Sequence, residues 1–108
     1  MFVVMYWWQV KPGKDAQFRD GWRRATEAIV KRYGSYGSRL HRAADGHFIA
    51  YAMWPRETAW QDFFDDKTPA DPEASALMRD AVAEAAPGGE PVFRLTVTDD
   101  LLQAMPTT

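Results

Sequence analysis

The sequence predicts an α+β domain in which a four-stranded antiparallel sheet carries its helices on one face. Three observations lead to this prediction: an apolar first strand, an amphipathic helix directly after it, and a hairpin signal near the middle of the chain. A chain of 108 residues, 46% hydrophobic and 26% charged, is typical of one folded globular domain. Its five Trp, four Tyr and six Phe provide apolar surface for a core, an interface or a ligand pocket.

Charge and cysteine content exclude several classes of function. The formal net charge is −2 and no strongly basic stretch occurs, which argues against a nucleic-acid binder. The absence of cysteine excludes disulfides, thiolate metal sites and cysteine nucleophiles, and it fits a reducing cytoplasm. No apolar run reaches the roughly 18 residues of a membrane span, and residues 1–10 lack the basic start of a signal peptide. We therefore expect a cytoplasmic protein without membrane contact.

Residues 2–10 form the first predicted strand. They are mainly β-branched and aromatic, and Pro12-Gly13 closes the segment. Both alternating sets of side chains are apolar, whereas a strand covered on one side only should alternate apolar with polar residues. We therefore expect this strand to be buried on both faces.

Residues 14–33 form a predicted helix that ends at Gly34, a residue suited to a C-terminal stop. Its apolar residues recur at the helical spacings of four, three, four and four. The stripe consists of Phe18, Trp22, Ala25, Ile29 and Tyr33. One side of this helix should therefore pack against the sheet.

A hairpin is predicted from residues 38–42 and 47–54, because Asp45-Gly46 between them is a strong turn signal. Pro55 ends its second strand. The next segment, residues 57–65, is predicted to be a short helix that presents three aromatic side chains. These are Trp60, Phe63 and Phe64.

Asp71-Pro72 is a helix start signal, with Asp71 as N-cap and Pro72 at the first helical position. The helix is predicted over residues 72–86 and the last strand over residues 91–98. This order is ferredoxin-like βαββαβ with an interrupted second crossover, and right-handed crossovers place all helices on one face. We expect a domain over residues 1–98 and a tail over residues 99–108.

The opposite sheet face should expose the second apolar side of the first strand. A contiguous exposed apolar face usually marks an interaction surface. We therefore predict a homodimer joined through this face of the sheet.

Three stretches carry a family resemblance that spans residues 1 to about 98. They are VKPGK at residues 10–14, DAQFRDGWRR at residues 15–24 and AYAMWPRETAW at residues 50–60. The chain resembles the antibiotic biosynthesis monooxygenase-like domains of the dimeric α+β barrel superfamily. The resemblance implies two sheets packed face to face and a cavity between each sheet and its own helices. Relatives include cofactor-free oxygenases of quinols and polycyclic aromatics, haem-degrading enzymes and proteins without an established activity.

Cofactor-free oxygenation requires a base and hydrogen-bond donors beside an aromatic substrate. The resemblance puts Trp60 where relatives often carry a pocket tryptophan. The candidates for catalysis are Trp60, His47 and Arg94. The candidates for substrate binding are Phe18, Trp22, Tyr51 and Phe64. For each aromatic residue, the alternative role is packing in the core. The two histidines, His41 and His47, flank a turn, where a histidine is commonly solvated or part of an interface.

No cofactor is expected. The histidines and acidic residues lack metal-ligand spacing, and residues 72–86 lack the histidine through which haem-degrading relatives hold iron. The segment Gln61, Asp62, Phe63, Phe64 also lacks the histidine common in quinol-oxidising relatives.

Two functions follow from these predictions. The first is a homodimer that binds an aromatic or polyketide-like small molecule between sheet and helices, with cofactor-independent monooxygenase activity as its enzymatic form. The alternative is a non-catalytic dimeric α+β barrel domain with a purely structural or binding role. A cavity of about 300 Å³ or more with convergent polar groups favours the first, and a filled interior favours the second.

Overall fold

The computed structural model describes residues 1–104 and shows an antiparallel sheet with helices packed on one face. The helices are α1 (Asp15–Tyr33), α2 (Glu57–Asp65) and α3 (Pro72–Ala81). The strands are β1 (Phe2–Val10), β2 (Gly37–Arg42), β3 (Phe48–Trp54), β4 (Val82–Ala85) and β5 (Phe93–Thr96). The predicted α+β class and antiparallel sheet are therefore confirmed.

The sheet has five strands in the described part of the chain, which corrects the predicted four. The strand order is β2-β3-β1-β4, and β5 also pairs with β1. β5 pairs with residues 2–5 of β1 and β4 with residues 8–10, so the two short strands follow each other along one edge of β1. Together they occupy the place of the single last strand predicted over residues 91–98.

The end of α3 accounts for this difference. The predicted helix over residues 72–86 ends at Ala81, and Val82 adopts extended backbone with φ −86° and ψ 127°. Val82 then pairs with Val10 of β1. Pairing with a free sheet edge satisfies the same backbone groups as another helical turn, so tertiary contact overrides the helical pattern of the local sequence.

The helix layer is held together by a close contact between α1 and α3. Gly21 of α1 is buried, and a Cβ atom at this position would lie 2.9 Å from the backbone oxygen of Ala74. The start of α3 is capped as predicted, because the Asp71 side chain accepts a hydrogen bond from the Ala74 N–H at 3.0 Å.

The core lies between the helices and the inner face of the sheet, which carries alternate residues of each strand. One cluster of buried residues consists of Phe2, Val4, Trp54 and Trp60. A second cluster consists of Phe18, Phe48 and Ala81. Partly buried aromatic residues such as Tyr6 and Trp8 pack against these clusters.

The other set of alternate residues forms the outer face, which no helix covers within residues 1–104. Cross-strand pairs on this face join Met5 to Tyr51 and Trp7 to Ile49. Val3 is 1% exposed, although it belongs to the same face. Residues 97 and 99–102 also lie against this side, where they line a small hollow with Tyr51 and Met53.

The predicted division into a domain over residues 1–98 and a tail stays a prediction. Residues 99–104 form neither helix nor strand, and the rest of the predicted tail, residues 105–108, lies outside the described residues. Among the described helices, none is long and apolar enough to cross a membrane.

Candidate functional site

A cavity of about 700 Å³ separates the inner face of the sheet from the helix layer. Small residues create this space, because Ala50 and Ala52 occupy the inner positions of β3 and Ala25 faces them from α1. Six of the lining side chains are aromatic. They are Tyr6, Trp8, Trp22, Trp54, Phe63 and Phe64. The cavity can therefore hold flat aromatic rings between broad apolar surfaces.

Trp54 supplies a polar group without a protein partner. Its side chain ends β3 on the inner face, is 2% exposed and stacks on Phe63 with ring centroids 5.5 Å apart. Its indole Nε1–H is buried and has no hydrogen-bond acceptor within residues 1–104. A buried unpaired donor costs about 1–3 kcal/mol. Trp54 itself is part of the cavity lining.

Tyr6 supplies a second polar group. Its hydroxyl oxygen accepts a hydrogen bond from the indole Nε1–H of Trp60 at 3.0 Å. Burial raises the pKa of Tyr6, and the hydrogen bond from Trp60 and the charge of Arg94 offset only part of that effect. The phenol is therefore protonated at neutral pH.

The loop between α2 and α3, residues 66–71, lines the cavity opposite the sheet. Asp66 anchors it to the end of α1 by accepting hydrogen bonds from the Tyr33 hydroxyl at 2.5 Å and from Arg32 at 3.2 Å. The bond from Tyr33, together with that from the Thr68 N–H, lowers the pKa of Asp66. Donation to Asp66 also raises the pKa of Tyr33. This wall is therefore attached to the helix layer by a charged hydrogen-bond network.

Two of the four predicted substrate-binding residues, Trp22 and Phe64, line the cavity. Phe18 is fully buried in the second core cluster, with its ring centroid 5.1 Å from that of Phe48. Tyr51 lies on the outer face of the sheet, opposite Met5. The structure therefore groups Trp22 with Phe64 and separates both from Tyr51.

The three predicted catalytic residues lie outside the lining of the cavity. Trp60 is fully buried behind Tyr6, and the Arg94 guanidinium carbon lies 4.8 Å from its ring centroid. Arg94 also forms an ion pair with Glu90 at 2.9 Å. His47 stacks on Trp7 on the outer side, with ring centroids 4.6 Å apart. Trp60 and Arg94 are thus neighbours and His47 is remote from them; their catalytic roles stay predictions.

The sequence pattern predicts strands at Tyr6 and Trp54 and does not indicate either residue as part of a cavity. The signal it carries for Tyr6 is that this residue shares a strand face with Trp8. The sequence pattern could not show which of the two apolar faces of β1 would meet the helices. No group of three metal-binding side chains occurs within residues 1–104.

Solved structures share this architecture. SnoaB, a cofactor-independent oxygenase from Streptomyces nogalater, is similar with a TM-score of 0.70 and 15% identity, over 94% of this chain and 97% of that one. Rv0793 from Mycobacterium tuberculosis is similar with a TM-score of 0.67 and 13% identity, over 94% of this chain and 98% of that one. At these identities the likeness shows the fold alone. Comparison with curated proteins gives no match.

The family model described as antibiotic biosynthesis monooxygenase matches residues 1–68. This stretch is more than half of the 108 residues and contains β1 to α2, with Tyr6, Trp54 and Trp60. The chain therefore belongs to the antibiotic biosynthesis monooxygenase family.

Proposed function

We propose that the protein binds an aromatic or polyketide-like small molecule in the inner cavity and oxygenates it without a cofactor. The observation that carries this proposal is the cavity of about 700 Å³ with an aromatic wall that includes Trp54, whose buried Nε1–H has no acceptor within residues 1–104. Its volume exceeds the roughly 300 Å³ typical of the smallest ligand sites. A purely structural domain would be expected to fill this space, so the cavity counts against the alternative function.

The shape of the wall supports a flat ligand. Indole faces from Trp8, Trp22 and Trp54 and phenyl faces from Phe63 and Phe64 all belong to the lining. Aromatic rings stack or meet edge to face at centroid distances of about 4.5–7 Å, which gives such a ligand a preferred orientation. The alanines of β3 leave room for it directly above the sheet.

The chemistry follows from the donors. Oxygenation without a cofactor begins when an aromatic substrate such as an anthrone loses a proton to a base, and the carboxylates of the cavity wall, Asp66 and Asp71, are the acceptors available there. The resulting anion reduces O₂ and takes up a proton to form a hydroperoxide, which loses water to leave the carbonyl product. A fixed N–H donor in a water-poor site stabilises negative charge on the oxygen of that anion more strongly than water would. We assign this role to Trp54, whose indole stacks on Phe63 in the cavity wall.

We also propose that two copies associate through the outer face. Phe93 and Leu95 of β5 are 58% and 41% exposed, and they extend the apolar surface that includes Met5 and Trp7 of β1. A second copy offers the same surface, so a two-fold arrangement would cover both apolar faces at once. A stable dimer would bury about 1,200 Å² or more. The cytoplasmic location stays a prediction.

Calorimetric titration with 1,8-dihydroxyanthraquinone tests the ligand site. Trp54→Phe should weaken binding about tenfold or more, because a hydrogen bond to a charged or strongly polar oxygen contributes about 1.5–3 kcal/mol. Trp7→Phe is the matched control, since it makes the same chemical change on the outer face. Equal affinities of the wild type and both variants for the anthraquinone would contradict a ligand site that involves Trp54.

Oxygen uptake tests the activity separately. With 1,8-dihydroxy-9-anthrone as substrate, the wild-type protein should raise the rate of O₂ consumption above that of the buffer, and Trp54→Phe should reduce the increase. Binding without any increase would retain the ligand site and reject the oxygenase activity for this class of substrate.

A further inference from the structure

The hydroxyl of Tyr6 is held by a residue that does not itself line the cavity. Tyr6 belongs to the cavity wall, and its oxygen accepts the hydrogen bond from Trp60 Nε1 at 3.0 Å. Within residues 1–104 the Tyr6 hydroxyl makes no other hydrogen bond. A phenolic hydroxyl accepts through its oxygen lone pairs and donates one proton. Since Trp60 uses the acceptor side, the proton of Tyr6 remains available to a molecule in the cavity.

Trp60 is a rigid support for this hydroxyl. Its side chain is fully buried, and its ring stacks on Phe64 with centroids 5.0 Å apart and meets Phe2 at 5.8 Å. The Arg94 guanidinium carbon lies 4.8 Å from the same ring, and the ion pair with Glu90 holds Arg94. A side chain packed on several sides loses little further entropy when the ligand binds. The Trp60 N–H therefore fixes the Tyr6 oxygen before any ligand arrives.

The charge state of Tyr6 decides between a base and a donor. Burial dominates its titration and favours the neutral phenol, although Arg94 and the bond from Trp60 favour the phenolate. A neutral phenol with its oxygen already engaged is a poor proton acceptor and a good donor. Tyr6 is thus suited to an oxygen acceptor on a ligand and ill suited to removing a proton from it.

Tyr6 and Trp54 lie at different positions along the inner face. Tyr6 pairs with Ala50 across the sheet, whereas Trp54 pairs with Phe2. At about 3.3 Å per residue, the offset from residue 50 to residue 54 puts their backbones about 13 Å apart along the strand. Their side chains nevertheless pack with Phe2 and Trp60 in one cluster, in which the hydrogen bond from Trp60 places the Tyr6 hydroxyl.

We propose that Tyr6 is a specificity-determining hydrogen-bond donor, positioned by Trp60, and that it selects aromatic ligands that carry an oxygen acceptor over ring systems that carry none. Carbonyl and phenolate oxygens are the acceptors that fit a phenolic O–H donor. The assignment rests on the proposed function, since it requires a ligand in the inner cavity. Trp60 acts as a positioning residue because it contacts Tyr6 and does not line the cavity.

A double-mutant cycle with two probes of the same ring shape tests the assignment. The probes are 1,8-dihydroxyanthraquinone, which carries oxygens, and anthracene, which carries none. The variants are Tyr6→Phe, Trp60→Phe and the double variant, and Tyr36→Phe is the control because Tyr36 is 62% exposed. Tyr6→Phe should weaken binding of the anthraquinone about five- to tenfold and leave the affinity for anthracene unchanged. Trp60→Phe alone should also weaken binding of the anthraquinone. In the Tyr6→Phe background, the same change should weaken it by less than a further factor of two.

A readout on the free protein checks the positioning directly. In the ¹⁵N spectrum, the indole signal lost in Trp60→Phe identifies Trp60, and this signal should move in Tyr6→Phe and stay in place in Tyr36→Phe. A signal that does not move in Tyr6→Phe would overturn the positioning role.

The outcomes separate this inference from the function on which it rests. If the wild-type protein binds both probes and Tyr6→Phe changes neither affinity, the role of Tyr6 is overturned and the ligand site stands. Independent, additive losses in the double variant would overturn the role of Trp60. If the wild-type protein binds neither probe, both proposals fall.

Discussion

The two faces of β1 are built from similar residues and face different environments. The inner face carries Tyr6 and Trp8, which meet helices and line a cavity. The outer face carries Met5 and Trp7, which no helix covers within the described residues. Hydrophobicity alone does not distinguish the two sets. The difference shows that the role of an aromatic strand residue depends on whether the crossover helices pack against its face of the sheet.

Partners of the polar atoms distinguish the faces more sharply. On the inner face, Trp60 donates to Tyr6, and the buried Nε1–H of Trp54 has no acceptor within residues 1–104. On the outer face, Trp7 stacks on His47, whose Nδ1 lies 2.8 Å from Asp45. The inner face thus places a hydrogen-bonded hydroxyl and an unpaired donor in the wall of a cavity, whereas the outer face offers a broad apolar surface.

The largest expected effect is on the stability of the inner face. Trp60→Ala should reduce the free energy of unfolding by about 3–5 kcal/mol, because it removes a fully buried indole and leaves a cavity. Trp7→Ala on the partly exposed outer face should cost clearly less under conditions where the chain is monomeric. Urea denaturation followed by circular dichroism measures both. Equal losses in the free energy of unfolding would contradict the distinction between the two faces.

The next effect concerns association through the outer face. Phe93→Glu should weaken the dimer by at least about 2 kcal/mol, or roughly thirtyfold, because the interface would bury an unpaired carboxylate. Light scattering at micromolar concentration should show a dimer for the wild type and a shift toward monomer for the variant. Asp62→Asn, an exposed change on α2 in the helix layer, is the control. A wild-type monomer would contradict the proposed interface.

A moderate effect is expected in the helix layer that covers the inner face. Gly21→Ala should cost about 1–3 kcal/mol of stability, because its Cβ would lie 2.9 Å from the Ala74 oxygen and force α1 and α3 apart. Ala28→Gly, also in α1, provides a comparison that tests helix propensity without a clash. Thermal unfolding measures the difference. A stabilised Gly21→Ala variant would contradict the close contact.

The smallest effect is the pH dependence at the exposed edge of the helix layer. Hydrogen bonds from Lys14 and Gln17 lower the pKa of Asp80 from its ordinary value of 3.8 to about 2. A lowered folded-state pKa means that the contribution to stability is present above about pH 4 and is lost as the pH falls toward 2. Asp80→Asn should therefore flatten the stability profile in this window. An unchanged profile by thermal unfolding would count against the interaction.

Local sequence signals were sufficient for most of the fold. The stripe of Phe18 and Trp22, the Asp-Gly turn and the Asp71-Pro72 cap depend on chemistry within a few residues, so they could be recognised without tertiary information. The end of α3 could not. Residues 82–85 continue an apolar helical pattern, and only the free edge of β1 beside them turns that segment into a strand.

The sequence by itself determined the order of the elements from β1 to α3, the family and the supply of aromatic side chains. The tertiary structure decided which of those side chains line the cavity. Trp22 and Phe64 were predicted and are found there, whereas Tyr6 and Trp54 are polar cavity groups that the sequence pattern did not indicate. The physical reason is that a cavity is the space that packing leaves empty. It depends on Ala50 and Ala52 meeting a helix from a distant part of the chain, which no local pattern can specify.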